Sequence, residues 1–240
     1  MAPKSSRISK RASEKKSLGS KKVADTAPTP TPNPDPNSAI YFWRPQEAAT
    51  GYLSQWYAHP FRDRTDKSKI YLTAEHYMMH HKALLFGDAE IAATILEATS
   101  PRDVKNLGRA VRGFDPAIWE RERERIVTEG NWCKFSLPVL EDAEEEEVRS
   151  WKLGNGDAAQ TMTTASFRHV LLATGTRELV EASPYDRIWG VGFAAKGAEN
   201  KRSKWGMNLL GKCLMEVREQ FRKEAGDEAE ATGLENGEES

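Results

Sequence analysis

Cysteine is nearly absent from this chain: Cys133 and Cys213 are the only two in 240 residues. Two thiols so far apart supply neither a disulfide framework nor a cysteine-based zinc site. Their scarcity fits a reducing, intracellular compartment, cytoplasmic or nuclear. Free cysteine is usually a packing residue, so neither thiol is read as a nucleophile. Net charge is also scarce, at −1, and selects no partner by itself. No apolar run approaches the roughly 18 residues of a membrane span, and the first residues lack the apolar core of a signal peptide. There is no Gly-x-x-x-x-Gly-Lys phosphate loop and no nucleophile elbow. Gly190-Val191-Gly192 lacks the third glycine and the helix of a dinucleotide fingerprint. There is no internal repeat. These absences argue against a secreted disulfide scaffold, a membrane protein, a nucleotide-loop enzyme and a serine or cysteine hydrolase.

What is present is unevenly distributed. Residues 1–38 are Lys/Ser/Ala-rich and then Pro-rich, with Lys4, Arg7, Lys10, Arg11, Lys15, Lys16, Lys21 and Lys22. Such a segment is expected to be disordered, either as a solvating tail or as a nuclear-import or nucleic-acid-contacting arm. Residues 39–224 are rich in Trp, Leu, Ile and Val and are long enough for one core. Residues 225–240 are acidic and expected to be a second disordered tail. Within the core, residues of about 138–165 carry Glu144-Glu145-Glu146-Glu147 and Gly154-Asn155-Gly156-Asp157 with little apolar periodicity, which reads as an inserted surface loop.

The remainder reads as α+β and mainly α-helical, with a few short strands. Strands are expected at Ile40–Trp43, within Tyr52–Phe61, at Lys69–Leu72 and at Ile188–Phe193. Helices follow Thr73, Asp88, Ser100-Pro101 and Asp115-Pro116, each a start signal. A short helix runs from Phe167 toward Gly175. The last spans Met207 to about Arg222, where Leu210, Leu214, Val217 and Phe221 recur at helical spacing.

The stretch Ala74–Ala83 is the most informative. Glu75 and Lys82 are seven residues apart, two helical turns, and so share a face. His76 and His80 have the spacing of a helical zinc pair, but the intervening Glu of the His-Glu-x-x-His motif and a third ligand are missing, so no metal is expected. The other polar candidates are Arg109, Asp186 and Asn208, with Trp119 and Trp189. By local pattern alone Glu75 and Lys82 read equally well as a surface pair, Asp186 as a turn cap and the tryptophans as core.

Taken in order, the motifs carry more than any one of them. They are Leu53-Ser54-Gln55-Trp56-Tyr57 with Pro60-Phe61; Glu75-His76-Tyr77 with Lys82-Ala83; Ile91-Ala92 and Ile95; Ser100-Pro101 then Lys105 and Leu107-Gly108-Arg109; Trp119 followed by Arg121 and Arg123; and Lys134-Phe135. There follow Leu171-Leu172-Ala173-Thr174-Gly175; Leu179-Val180-Glu181-Ala182-Ser183; Asp186-Arg187-Ile188-Trp189-Gly190-Val191-Gly192; and Gly206-Met207-Asn208-Leu209-Leu210-Gly211. Across Tyr52–Arg222 the chain resembles the YbiA/NADAR family. It departs in having Gln55-Trp56 where Asn-Phe is common, and in the acidic insertion after Lys134-Phe135.

The resemblance implies a single YbiA-like domain and an N-glycosidase, cleaving the C–N bond between ribose and an amine or base. It implies no metal or redox cofactor. Phosphoribosylaminopyrimidine intermediates of riboflavin biosynthesis are the first expected substrates, a small phosphorylated ribosyl group. The alternatives are removal of ADP-ribose from guanine in nucleic acid, which the basic tail would favour, and a non-catalytic NAD or ADP-ribose binder. On the matching motifs, Glu75, Asp186 and Trp119 are the implied catalytic residues. Lys82, Arg109, Trp189 and Asn208 are the implied substrate-binding ones. Lys and Arg suit phosphate, and a carboxylate suits the positive charge that builds on the ribose.

Overall fold

The computed structural model describes residues 38–139, 149–153, 160–164 and 167–235. The expectations for the basic and Pro-rich tail up to residue 37, the glutamate run, the Gly-Asn-Gly-Asp turn and residues 236–240 lie outside them.

Helix α1 (Ala74–Leu85) starts where the Thr73 hydroxyl accepts the His76 amide, the usual N-cap arrangement. Every residue from Ala74 to His80, and Ala83, is buried. A helix enclosed on all faces belongs at the centre of a domain. α2 (Ala89–Glu97), α3 (Pro101–Arg109) and α4 (Pro116–Ser136) pack around it. Two glycines set the distance of approach. A Cβ on Gly108 of α3 would meet the Met79 sulfur at 2.0 Å, and one on Gly130 of α4 would meet the Tyr77 ring at 2.5 Å.

The expected start signals operate. The Asp88 carboxylate accepts the Ile91 amide and also grips Arg112 through Nε and Nη2 at 3.0 and 2.5 Å, which ties the segment after α3 back onto α2. Asp115 accepts the amides of Ala117 and Ile118. Ser100 occupies the N-cap position of α3 without a side-chain cap bond, leaving Pro101 as the start signal. On the far side of α4, α5 (Phe167–Leu172) and α6 (Leu209–Glu235) complete the core, with Leu210, Leu214, Val217 and Phe221 all buried.

Strands are short and paired in twos. β1 (Ile40–Phe42) runs parallel to β6 (Leu179–Glu181), with Phe42 opposite Glu181. β2 (Phe61–Arg62) and β3 (Ile70–Tyr71) are antiparallel, as are β4 (Arg149–Leu153) and β5 (Gln160–Thr164). The α+β, mainly helical reading therefore holds. No helix among the described residues is long and apolar enough to cross a membrane.

Four local expectations change. Tyr52–Phe61 is not an extended strand but opens with a 3-10 turn, Gly51–Leu53. Ile188–Phe193 is a loop, because the Asp186 carboxylate takes the amides of Ile188 and Trp189 in an Asx turn and Gly192 adopts φ +77°. The described part of the acidic insertion is the β4–β5 hairpin, and it delivers Leu153 into the core. Finally, α6 continues past Arg222 to Glu235, since the Glu/Ala-rich sequence there has good helix propensity. The parallel partner β6, too short to show a period, was not anticipated as a strand.

Lys134 explains the first change. It is fully buried, and its ammonium donates to the carbonyls of Tyr52 and Ser54 at 2.7 and 3.0 Å. Those carbonyls bind a cation in place of a strand ladder, and the segment leading to Gln55 and Trp56 is fixed. Burial pushes the Lys134 pKa down from 10.5 to about 7. The unfolded chain thus binds more protons between these values, so this group's contribution to stability grows as pH rises from about 7 toward 10.5. Lys134→Met should orphan two buried carbonyls and cost about 2–5 kcal/mol. Urea denaturation should show that loss, together with a weaker rise in stability from neutral to alkaline pH than in the unaltered protein.

Candidate active site

α1 carries three polar side chains into the interior, and each must find a partner there. His76 bridges the Thr73 hydroxyl at 2.8 Å and the Ala98 carbonyl at 3.0 Å. His80 meets the Tyr71 hydroxyl at 3.0 Å. Both rings of the candidate zinc pair are thus engaged by protein groups, and among the described residues no group of three or more His, Cys, Asp or Glu side chains is placed to hold a metal ion. Glu75 is the third, and it opens into a cleft of about 870 Å³.

The cleft wall is assembled from distant parts of the chain. α1 supplies Glu75, Met78, Met79 and Lys82, and α3 supplies Arg102, Lys105 and Arg109. Gln55 and Trp56 come from the Lys134-held turn, and Trp43 and Arg44 follow β1. Glu181 ends β6, and Tyr185, Asp186 and Trp189 lie on the loop beyond it. Arg102, Lys105 and Arg109 fall at spacings of three and four on α3, one helix face. They form a cationic row in the same cleft as Glu75, Glu181 and Asp186, and Lys105 acts on both Glu75 and Glu181.

Glu75 is buried at the first turn of α1, where its amide donates to the Gln55 carbonyl at 3.0 Å. Burial pushes its pKa up to about 7, against the pull of Lys105, a hydrogen bond from the Trp56 indole and Arg109; Asp186 pushes it further up. Asp186 has one oxygen held by the Ile188 and Trp189 amides, both at 2.8 Å. The turn that displaces the expected strand is what fixes this carboxylate.

Five of the seven residues singled out from sequence line the cleft: Glu75, Lys82, Arg109, Asp186 and Trp189. Lys82 has a double engagement. Its ammonium donates to the Gly108 carbonyl at 2.7 Å and sits 4.2 Å from the Phe114 ring centre. Trp119 is not part of the cleft wall. It packs against the core with its ring centre 5.6 Å from the Lys82 ammonium, so it backs Lys82 and does not reach the cleft.

Asn208 is also displaced from its expected role. It is buried at φ +51°, immediately before α6. Its side-chain oxygen accepts the Glu181 amide and its nitrogen donates to the Leu179 carbonyl, both at 2.9 Å. The amide is a clamp on β6. Gly211 makes room for it, since a Cβ there would meet the Leu179 carbonyl at 2.0 Å. Conversely, Glu181, Arg102, Lys105 and Trp56 belong to the cleft wall without having been singled out. The helical spacing of the three α3 cations was a usable signal, and so was a lone acid within Leu179-Val180-Glu181-Ala182.

With the geometry in place, the comparisons are informative. The NADAR domain model matches residues 41–222, and the chain belongs to that family. It is 40% identical over 178 residues to "N-glycosidase R617" of Acanthamoeba polyphaga mimivirus, covering 72% of this chain and 89% of that one. It is 27% identical over 156 residues to "Riboflavin biosynthesis protein PYRR, chloroplastic" of Zea mays, spanning 62% of this chain but 19% of that much longer protein. The NMR structure of the Escherichia coli protein YbiA superposes with a TM-score of 0.53 at 25% identity, covering 79% of this chain and 88% of that one.

The clamp on β6 can be tested apart from any chemistry. Asn208→Gly keeps the left-handed backbone available but removes both side-chain bonds. It should cost about 1–3 kcal/mol of stability by denaturant titration. It should also speed amide hydrogen exchange at Glu181 relative to Val127 in α4.

Proposed function

We propose that this chain is an N-glycosidase that hydrolyses the C–N bond between a ribose and an amine or base. The observation that carries this is the buried Glu75, sharing one cleft with Asp186 and the α3 cations and acted on by Asp186, Lys105 and Arg109. Breaking such a bond builds positive charge on C1′ and the ring oxygen of the ribose. Carboxylates held in a partly dry cleft stabilise that charge more than water does. Lys105 and Arg109 line the same cleft, where the phosphate of a substrate would compensate them. Lys82 contributes its charge from a fixed position on Gly108. Trp189, half-buried in the wall, offers a face for the sugar or base. The relatives named as N-glycosidases support the reaction class.

For the substrate, a phosphoribosylaminopyrimidine is the first reading, supported by the likeness to the Zea mays riboflavin biosynthesis protein. A second reading is removal of ADP-ribose from guanine. It is favoured by the α3 row, since Arg102 to Arg109 spans about 10 Å of helix, longer than a single phosphate requires. Incubating the purified protein with each substrate and following ribose 5-phosphate or ADP-ribose by mass spectrometry separates the two. Release of neither product would leave only a binding role.

Glu75→Gln keeps the size and removes the charge. Turnover should fall about a hundredfold or more, with the urea midpoint little changed, and near-normal turnover would remove Glu75 from the chemistry. Arg109→Ala should instead raise KM for the phosphorylated substrate with kcat nearly unchanged. On an analogue lacking phosphate the same variant should match the unaltered protein. Equal losses on both substrates would assign Arg109 to something other than phosphate.

A further inference from the structure

Buried carboxylates elsewhere in this domain are fully engaged. Asp63 accepts from Thr65, Asp66 and Tyr71, and Asp88 grips Arg112. Glu181 differs. Its backbone is locked: the amide is bound by Asn208, the carbonyl accepts the Val191 amide at 2.9 Å, and the next amide, of Ala182, donates to Phe42. Yet its Oε2 is buried with no hydrogen-bond partner, and the side chain lines the cleft. A structural carboxylate placed so rigidly would be expected to have its own donor.

The surroundings explain which protonation state it holds. From α1 and the Asp186 loop it faces the carboxylates of Glu75 and Asp186. From α3 it faces Lys105, which offsets them; Arg102 and Arg109 of α3, Lys82 of α1, Arg44 beyond β1 and the apolar Leu210 of α6 also line the cleft. Burial, reinforced by Asp186 and Glu75, pushes the Glu181 pKa up to about 8. Glu75 has the Trp56 indole, Lys105 and Arg109 to favour its anion. The donor beside Glu75 favours its anion, whereas Oε2 of Glu181 is buried without one, so the proton is better held on Glu181.

We propose that Glu181 is the general acid of this cleft, donating its carboxyl proton to the departing nitrogen. This rests on the N-ribosyl hydrolase reading above. The C1′–N bond breaks with its electron pair passing to nitrogen, and the Glu181 proton is transferred to that nitrogen, so the amine departs neutral. The cationic ribose faces the Glu75 and Asp186 carboxylates. Water adds to C1′ and gives its proton to Glu75, and exchange with solvent then removes that proton from Glu75 and restores one to Glu181. One water is consumed, one C–N bond is lost, and one C–O bond is gained.

The test varies the leaving group. A phosphoribosylaminopyrimidine needs a proton on its nitrogen, whereas a phosphoribosyl pyridinium releases a neutral ring without one. Glu181→Gln should lower kcat/KM about a hundredfold or more on the first and less than about fivefold on the second. Glu75→Gln should depress both. In the unaltered enzyme, activity on the aminopyrimidine should fall as pH rises through about 8, and this alkaline limb should be absent with the pyridinium. Equal losses in Glu181→Gln on both substrates, or no loss on either, would overturn the donor role. An unaltered enzyme inactive on every substrate would instead overturn the hydrolase reading. Carboxyl ¹³C NMR of the unaltered protein reads Glu181 independently of catalysis or of the variant's folding. A resonance titrating near pH 8 is expected, and assignment of Glu181 to one titrating near the ordinary 4.5 would overturn the proposal.

Discussion

The burial of α1 on nearly every face is the constraint on which the rest depends. A helix sealed between α2, α3 and α4 contributes apolar area through Tyr77, Met78, Met79 and Ala83. It also brings Glu75, His76 and His80 inside, where each needs a partner. The two histidines are satisfied by Thr73, Ala98 and Tyr71. Glu75 instead borders a cleft, with a donor from Trp56. The helix that organises the core thus also places the central carboxylate of the site, and its packing makes that carboxylate rigid.

The cleft is completed by buried polar groups that do not touch it. Lys134 holds the turn carrying Gln55 and Trp56 through two backbone carbonyls. Asn208 holds β6, and with it Glu181. Gly108 brings α3 close enough for its carbonyl to hold Lys82 and for its cations to face Glu75. Each is a polar or backbone device in a low-dielectric interior, where a satisfied network specifies one arrangement. Carboxylates from α1, β6 and the loop beyond it thereby share one cleft with cations from α1 and α3.

Membership of the NADAR family and the YbiA-like fold accord with this arrangement. The acidic insertion, the clearest departure in sequence, lies between α4 and α5. Its described hairpin sends Leu153 into the core, so the segment is partly structural, although its composition read as a surface loop. The helical extension to Glu235 makes the same point about composition. Acidic, Ala-rich sequence is compatible with both solvated coil and helix, and continuity with α6 decides between them.

Local sequence determined the helices. Thr73, Asp88, Asp115 and Pro101 started them, and the Leu210–Phe221 spacing set the buried face of α6, because capping and periodicity are local properties. Ordered motifs also picked out Glu75, Lys82, Arg109, Asp186 and Trp189. Tertiary structure alone decided which of the candidates share a cavity. Trp119 turned to back Lys82 and Asn208 to clamp β6, because those partners lie 37 and 27 residues away in the chain. It also decided that one carboxylate oxygen of Glu181 would be buried without a partner in a cleft shared with two other acids. No local pattern encodes that, since the cost of ionising a carboxyl is set by the groups that packing brings around it.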